Sequence, residues 1–334
     1  MKHWTEPHGI FLIQIPTGWQ YLNPVVPGEE EKPPYSFQPY ENAKGCFQIS
    51  CYPLEELAPK IAGKYPNGVP SLIWRPSRMD GAGFCAHVFF GALADQVFIG
   101  KYIYDANLEN DRGIIEELRL VGGILKSLVV VPPCDRKLAS DMEKLDRFQG
   151  ALAASYDLLD NAIESDSFIE VITIAANQID AFLRLSIVIA IQLKNQTDEV
   201  PLKYLFQADN ERGMMESKIY DDALKYKVIT DDHRKELGSL YKLRNRVIHR
   251  YIISDIKTRD LPGIAARYVD AVEKVRLILR GLENEQKGCQ YGVYGKKFMK
   301  SSGPDDEAIK RLYADANDKH LIRKFTRKVT NDPI

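Results

Sequence analysis

Leu237-Gly238-Ser239-Leu240-Tyr241-Lys242-Leu243-Arg244-Asn245-Arg246-Val247-Ile248-His249-Arg250-Tyr251 reads as one helix with a dry side and a basic end. Leu240, Leu243, Val247 and Tyr251 recur at i, i+3, i+7 and i+11, a stripe that faces a helical core. Asn245 and His249 stand four apart, so they share a face and can hydrogen-bond. Arg244 lies five residues before His249, roughly 140° around an ideal helix. One rigid helix does not easily aim both side chains at one point. A site built where two copies of the helix meet would.

The neighbouring sequence keeps the same period. From Asp141 onward it predicts helices at about 139–164, 166–195, 211–227, 231–251 and 260–284, joined by short polar turns. Thr230-Asp231-Asp232 makes a helix start, with Thr230 as N-cap and two acids at the positive end of the dipole. Long helices with short connections pack as antiparallel neighbours in a bundle.

Residues 1 to about 130 follow a different grammar. Strand-like runs rich in Phe, Ile, Val and Tyr fall at Ile10–Ile15, Cys46–Tyr52, Ser71–Trp74, Phe84–Phe90 and Gln96–Tyr104. The Pro-rich stretch Asn23–Tyr40 reads as a surface loop. An amphipathic helix from about Asp111 to Ser127 carries Ile114, Leu118, Val121 and Leu125 on one face. Val129-Val130-Val131 then meets Pro132-Pro133, which continues neither helix nor sheet, so a domain boundary belongs there.

Bulk properties set limits. With 334 residues, 45% of them apolar and 27% charged, the chain can bury two cores without disulfide or metal staples. A net charge of −1 leaves no chain-wide attraction for nucleic acid, so any such surface must be local. Five scattered cysteines with no C-x-x-C pair read as reduced thiols of a cytoplasmic protein. The most apolar stretch, Ile169–Leu193, is interrupted by Glu170, Asp180 and Arg184, which suits a core helix and not a membrane span. No phosphate-binding Gly loop, GxGxxG, H-E-x-x-H or Ser-His-Asp set occurs, and no cofactor or metal is expected. His87, next to Phe89 and Phe90, reads as a core or cross-strand residue.

The residue types around Arg244 suit RNA cleavage without metal. The ribose 2′-OH must lose a proton while negative charge builds on the phosphorus-bound oxygens. A histidine titrating near neutral pH can move the proton. A guanidinium can neutralise the developing charge with two parallel hydrogen bonds. Asn245 can hold the imidazole or the phosphate, and Arg246 and Arg250 raise the local affinity for a polyanion. R-x4-H spacing by itself is common on helices, and a His or Arg near a helix end often only complements the dipole.

Arg244, Asn245 and His249, on the second-last long helix, resemble the R-x4-6-H motif of the HEPN family, whose members are bundles of four or five helices. Tyr251 is similar to the last position of the R-x4-H-x-Y variant found in HEPN toxins paired with a nucleotidyltransferase antitoxin. The resemblance covers about residues 139–285. It implies a metal-independent endoribonuclease, a homodimeric site, RNA as substrate and use in toxin–antitoxin or antiphage systems. Arg244, Asn245 and His249 would be catalytic, with Arg246, Arg250, Tyr251 and Asp180 contacting or supporting the substrate. Asp180 either holds a helix partner or reaches Arg244 and orients it. Some HEPN domains are not catalytic.

In the first half, Phe11-x3-Ile15-Pro16-x-Gly18-Trp19, Ile49-Ser50 and Ile124-Leu125-Lys126-Ser127-Leu128 resemble the PsbP-like α/β/α sandwich, from which the Pro-rich insertion departs. That resemblance implies a binding or scaffolding module. The expected chain is therefore α+β with three segments. Residues 1–131 form a sandwich-like domain with an antiparallel sheet, 139–285 an all-α HEPN-like bundle and 286–334 a basic tail. The tail has 11 Lys and Arg against 6 Asp and Glu. With Tyr291, Tyr294 and Phe298 it could hold single-stranded nucleic acid, or be a solvated extension with a short helix at Asp306–Ala314. The functional expectation is a ribonuclease effector. The alternatives are a non-catalytic module for dimerisation or RNA binding, and an adaptor for a protein complex.

Overall fold

The computed structural model describes residues 1–22, 31–56, 73–94, 96–207, 212–296 and 305–320. Its architecture is mixed α+β, with a first compact unit ending at Ser140 and a second beginning at Asp141.

Alternating side chains build the first unit. Its described strands are β1 (Lys2–Thr5), β2 (Phe11–Ile15), β3 (Trp19–Leu22), β4 (Tyr35–Pro39), β5 (Gly45–Pro53), β6 (Arg75–Gly81), β7 (Phe84–Leu93), β8 (Gln96–Asp105) and β9 (Val129–Val130). Phe11, Ile13 and Ile15 of β2 are buried and the residues between them half-exposed, the period-two pattern of a strand with one face on a core. Strands β1-β2-β9 form one antiparallel sheet and β3-β4-β5-β8-β7-β6 another. Helix α1 (Arg112–Lys126) buries Ile114, Val121, Ile124 and Leu125, each contributing about 1.5–3 kcal/mol on burial. Asp111 caps it, accepting from the Gly113 N–H at 2.7 Å. Among the described residues two carboxylates sit inside this unit, and both are satisfied. Glu117 accepts from the Tyr102 hydroxyl at 2.8 Å and from the N–H groups of Lys44 and Gly45. Glu6 accepts from the Tyr35 hydroxyl at 2.7 Å and the Ile10 N–H at 3.0 Å. Burial, and secondarily the neighbouring carboxylate, pushes both tyrosine hydroxyls well above their usual range.

Two readings of this half need correction. The Pro-rich stretch is not all surface loop, because Tyr35–Pro39 is a sheet strand with Tyr35 and Phe37 buried against Trp4. Prolines masked a short alternating run; residues 23–30 lie outside the described ones. The strand expected at Ser71–Trp74 is displaced to Arg75–Gly81, a polar edge strand exposed throughout. Ser71 and Leu72 lie outside the described residues, and Trp74 instead donates its indole N–H to the Leu125 carbonyl at 3.0 Å. His87 is the expected cross-strand residue, stacked on Tyr104 with Nε2 3.2 Å from its hydroxyl.

The second unit is helical. Helix α2 (Arg136–Glu164) contains the division between the units; α3 (Phe168–Asn195), α4 (Glu216–Lys225), α5 (Asp231–Arg250), α6 (Leu261–Lys287) and α7 (Asp305–His320) follow. Helix α3 is its core, burying Val171, Ile172, Ala175, Ile179, Leu183 and Ile187. It is the one described helix long and apolar enough to cross a membrane, and most of its apolar window is buried inside the protein. Thr230 caps α5, accepting from the His233 N–H at 3.3 Å. Helix α4 starts five residues later than the period suggests, and residue 211 lies outside the described ones. The Met214 carbonyl accepts from Arg184 Nη2 at 3.2 Å, outside any helical ladder.

The segment after α6 is not a solvated tail. Gln192 and Gln286, both fully buried, clamp it. Gln192 Oε1 accepts from the Val293 N–H at 3.2 Å, and Gln286 Oε1 from the Tyr294 N–H at 2.8 Å. The Gly292 N–H donates to Asp198 at 3.0 Å. Gly292 has φ +84°, and a Cβ there would lie 2.1 Å from Gln286 Nε2, so only glycine fits. Helix α7 runs longer than the expected 306–314, with Ala316 packed on Ala153 and Ala154 of α2. Many of the tail's basic residues, those at 297, 300, 323, 324, 327 and 328, lie outside the described residues.

Candidate functional site

The site grows from α5 and the start of α4. Leu237, Leu240 and Val247 anchor α5 in the core, with Leu243 and Tyr251 half-buried beside them. Tyr268 of α6 donates its hydroxyl to the Leu240 carbonyl at 2.5 Å, fixing the helix against its neighbour. This anchoring turns Arg244 inward, with its side chain 17% exposed.

Arg244 is held on several sides. One terminal nitrogen pairs with Glu216, which is 12% exposed and opens α4. The other donates to Asn245 Oδ1 at 3.2 Å. The guanidinium carbon lies 5.1 Å from the Tyr241 ring centroid, a cation–π contact. Tyr220, one turn along α4, donates its hydroxyl to the same Glu216 carboxylate. Burial, and then Glu216, pushes the Tyr220 hydroxyl far above its usual range, so it stays protonated as the donor. Arg244 Nε is buried and finds no hydrogen-bond partner among the described residues.

Of the two roles open to Asp180, the structure does not show the bond to Arg244. It bonds Arg184 one turn on, Oδ2 to Nε at 2.5 Å, and Arg184 then reaches the Tyr204 and Met214 carbonyls. Burial raises the Asp180 carboxyl, opposed by the charges of Arg184 and, more weakly, Arg244. Asp180 thus feels Arg244 without bonding it. The acid that holds Arg244 is Glu216, which sequence reading missed. Its signal was faint: Glu216 and Tyr220 stand at i, i+4 at the start of a short helix, and spacing alone does not single out an acid there.

His249 faces the other way. It is exposed, and no described residue hydrogen-bonds it. The Asn245–His249 bond that the spacing allows is absent among the described residues, and the Asn245 oxygen accepts from Arg244 instead. Arg250 is exposed and has no partner among the described residues, whereas Arg246 is compensated by Asp255 at 2.5 Å. The Tyr251 hydroxyl lies 2.6 Å from Thr258 Oγ1, tying the helix end to the next turn. The structure therefore brings Arg244 and Asn245 together, and leaves Asp180, His249 and Tyr251 apart from them. Beside His249 stand Ile248, half-exposed, and Ile252 and Ile253, 95% and 83% exposed. Among the described residues no cluster of three or more His, Cys, Asp or Glu side chains could hold a metal ion.

No family model and no curated protein matches this chain. A crystal structure of a protein from Bacteroides thetaiotaomicron VPI-5482 aligns over 82% of this chain and 98% of its own. Its sequence is 10% identical and the TM-score is 0.29, at which level the likeness assigns no fold.

Proposed function

We propose that the chain is a metal-independent endoribonuclease of HEPN type, with His249 as general acid–base and Arg244 stabilising the scissile phosphate. The observation that carries this reading is the arrangement on α5: a braced guanidinium whose Nε is bonded by no described residue, and an accessible imidazole just over one turn further on. A fixed cation costs little reorganisation when charge develops on a phosphoryl oxygen. The exposed imidazole is free to exchange protons with a substrate hydroxyl.

Within one helix the two groups diverge, so the working site is one in which a second copy completes each set. Ile248, Ile252 and Ile253 give that copy an apolar landing surface next to His249. Arg250 supplies attraction for the RNA backbone. In this reading the first unit is a PsbP-like recognition module, the setting is cytoplasmic, and an antitoxin or a nucleotidyltransferase partner restrains the activity.

One observation favours a second reading. The Glu216 carboxylate already neutralises Arg244, as it would in a non-catalytic bundle that only dimerises or binds RNA. Cleavage of RNA in EDTA separates the two. The catalytic reading expects 2′,3′-cyclic phosphate ends and a loss of roughly 10²–10⁴ in rate for His249→Ala. Equal cleavage by that variant, or none by the native protein, leaves the second reading.

A further inference from the structure

We infer that the free edge of β6 is a pairing surface for β6 of a second copy, joining the two six-stranded sheets into one. Strand β6 ends the order β3-β4-β5-β8-β7-β6, so β7 satisfies only one of its edges. All of Arg75–Gly81 is exposed, and Met79 and the neighbouring Phe84 are 56% and 42% open to solvent. A row of backbone donors and acceptors thus stands in water, a ready template for another strand.

Pro76 fixes which residues face outwards. Residues of an antiparallel strand alternate between bonding the neighbour and pointing away. Proline has no N–H, so it fits a paired strand where its donor would point away from β7. Arg78 and Asp80 share that alternation and are the outward members. Two antiparallel copies exchange bonds between outward residues. A register centred on Arg78 would set like charges directly opposite, which is unfavourable. A register centred on Met79 sets Arg78 against Asp80 of the second copy, and Asp80 against its Arg78. Each of these pairs exchanges both N–H···O bonds. Arg78 gives Nε to its own Asp80 at 2.9 Å and one terminal nitrogen to Glu109 at 2.6 Å. Its other terminal nitrogen is bonded by no described residue, which leaves a donor for the second carboxylate. On the opposite face the two Met79 side chains meet at a pair without backbone bonds, where Cα atoms approach to about 4.5 Å. The Phe84 ring lies over Gly81, 2.2 Å from where a Cβ would stand, and widens this apolar contact. Pro76 falls opposite the turn residue Ala82, beyond the last exchanged pair. It therefore costs no bond and stops the ladder from running on.

This edge belongs to the first unit, whereas α5 belongs to the second. The assignment therefore stands whether or not α5 pairs with a copy of itself and whether or not the chain cleaves RNA.

Cross-linking and sedimentation of the full chain test it, both in an Ile252→Asp/Ile253→Asp background that removes the apolar surface beside His249. Under a mild oxidant Met79→Cys should form an interchain disulfide, because that Cα spacing suits one. Arg75→Cys should cross-link far more slowly, since the two copies of residue 75 lie about 27 Å apart in this register at ~3.4 Å per residue. In sedimentation, Arg78→Asp should raise the dimer dissociation constant at least about 10-fold, as charge-assisted bonds are lost. The exchanged variant Arg78→Asp/Asp80→Arg restores opposite charges and should bind within about threefold of the parent. Every substituted residue is exposed, so the variants should melt like the parent. Met79→Cys cross-linking no faster than Arg75→Cys, a parent that stays monomeric at millimolar concentration, or an exchanged variant as weak as Arg78→Asp would each overturn the assignment.

Discussion

Glu216 and Arg244 join the first turn of α4 to α5, and Tyr220 closes on the same carboxylate from one turn further along. Because both charged groups are largely buried, the pair carries more weight than a surface salt bridge. Glu216→Gln keeps an acceptor for Tyr220 but leaves Arg244 without a countercharge. Unfolding in urea should show a loss of about 1.5–3 kcal/mol. If Glu216 positions Arg244 for chemistry, kcat for RNA should fall with KM little changed, since Glu216 itself touches no substrate. A rise in kcat would mean that the carboxylate restrains the arginine.

Ile252 and Ile253 stand in solvent beside His249. Replacing both with Asp should leave the melting temperature almost unchanged, as exposed substitutions generally do. Dimer dissociation measured by sedimentation should rise at least 10-fold, because burying an isoleucine contributes about 1.5–3 kcal/mol. A native chain that stays monomeric at high concentration, yet cuts RNA at full rate, would end the two-copy model of the site.

Gly292 marks the tight point of the segment clamped by Gln192 and Gln286. Gly292→Ala should destabilise the protein by about 1–3 kcal/mol, the usual strain of a side chain held at positive φ. Protease should then cut between residues 289 and 296. Truncation at residue 287 should lower the unfolding midpoint too, because two fully buried glutamines lose partners. A truncated chain as stable as the native one would show that the clamp contributes nothing.

Asp111 caps α1, and its bond from the Gly113 N–H, followed by Lys44, holds its carboxyl below the usual 3.8. A folded-state pKa below the unfolded value stabilises above the unfolded value and is lost as pH falls through the folded one. The stability gap between native protein and Asp111→Ala should therefore be full at neutral pH and close below pH 3.8. Asp111→Asn, still a good cap, should remove the pH dependence while keeping much of the stability. A gap that stays constant down to pH 2 would contradict this.

The helices were legible because a 3.6-residue period persists over many turns in Phe168–Asn195 and Asp231–Arg250. Strands with strong apolar alternation, such as Phe11–Ile15, were equally plain. What escaped was short or polar. Arg75–Gly81 has no buried side to announce it, and Tyr35–Pro39 hides between prolines. At the site, Arg244, Asn245 and His249 could be singled out by spacing, but their partners could not. Glu216 meets Arg244 across a gap of 28 residues, and no local pattern encodes such a meeting. Asp180 drew attention as an acid in an apolar run, yet Arg184, one turn away, reached it first.

Strand β9 is only two residues long, and it pairs Val130 with Phe11 and Val129 with Leu12. On the ribosome, Phe11 emerges long before its partner exists. Strand β5 likewise waits for β8, since Gly45 pairs with Tyr104. These distant pairings make folding of the first unit slow relative to helices built from local contacts. One edge of β2 must therefore stay unpaired until synthesis passes residue 130. A nascent chain stalled before that residue would present sticky, unpaired strand edges, the kind of surface that chaperones cover.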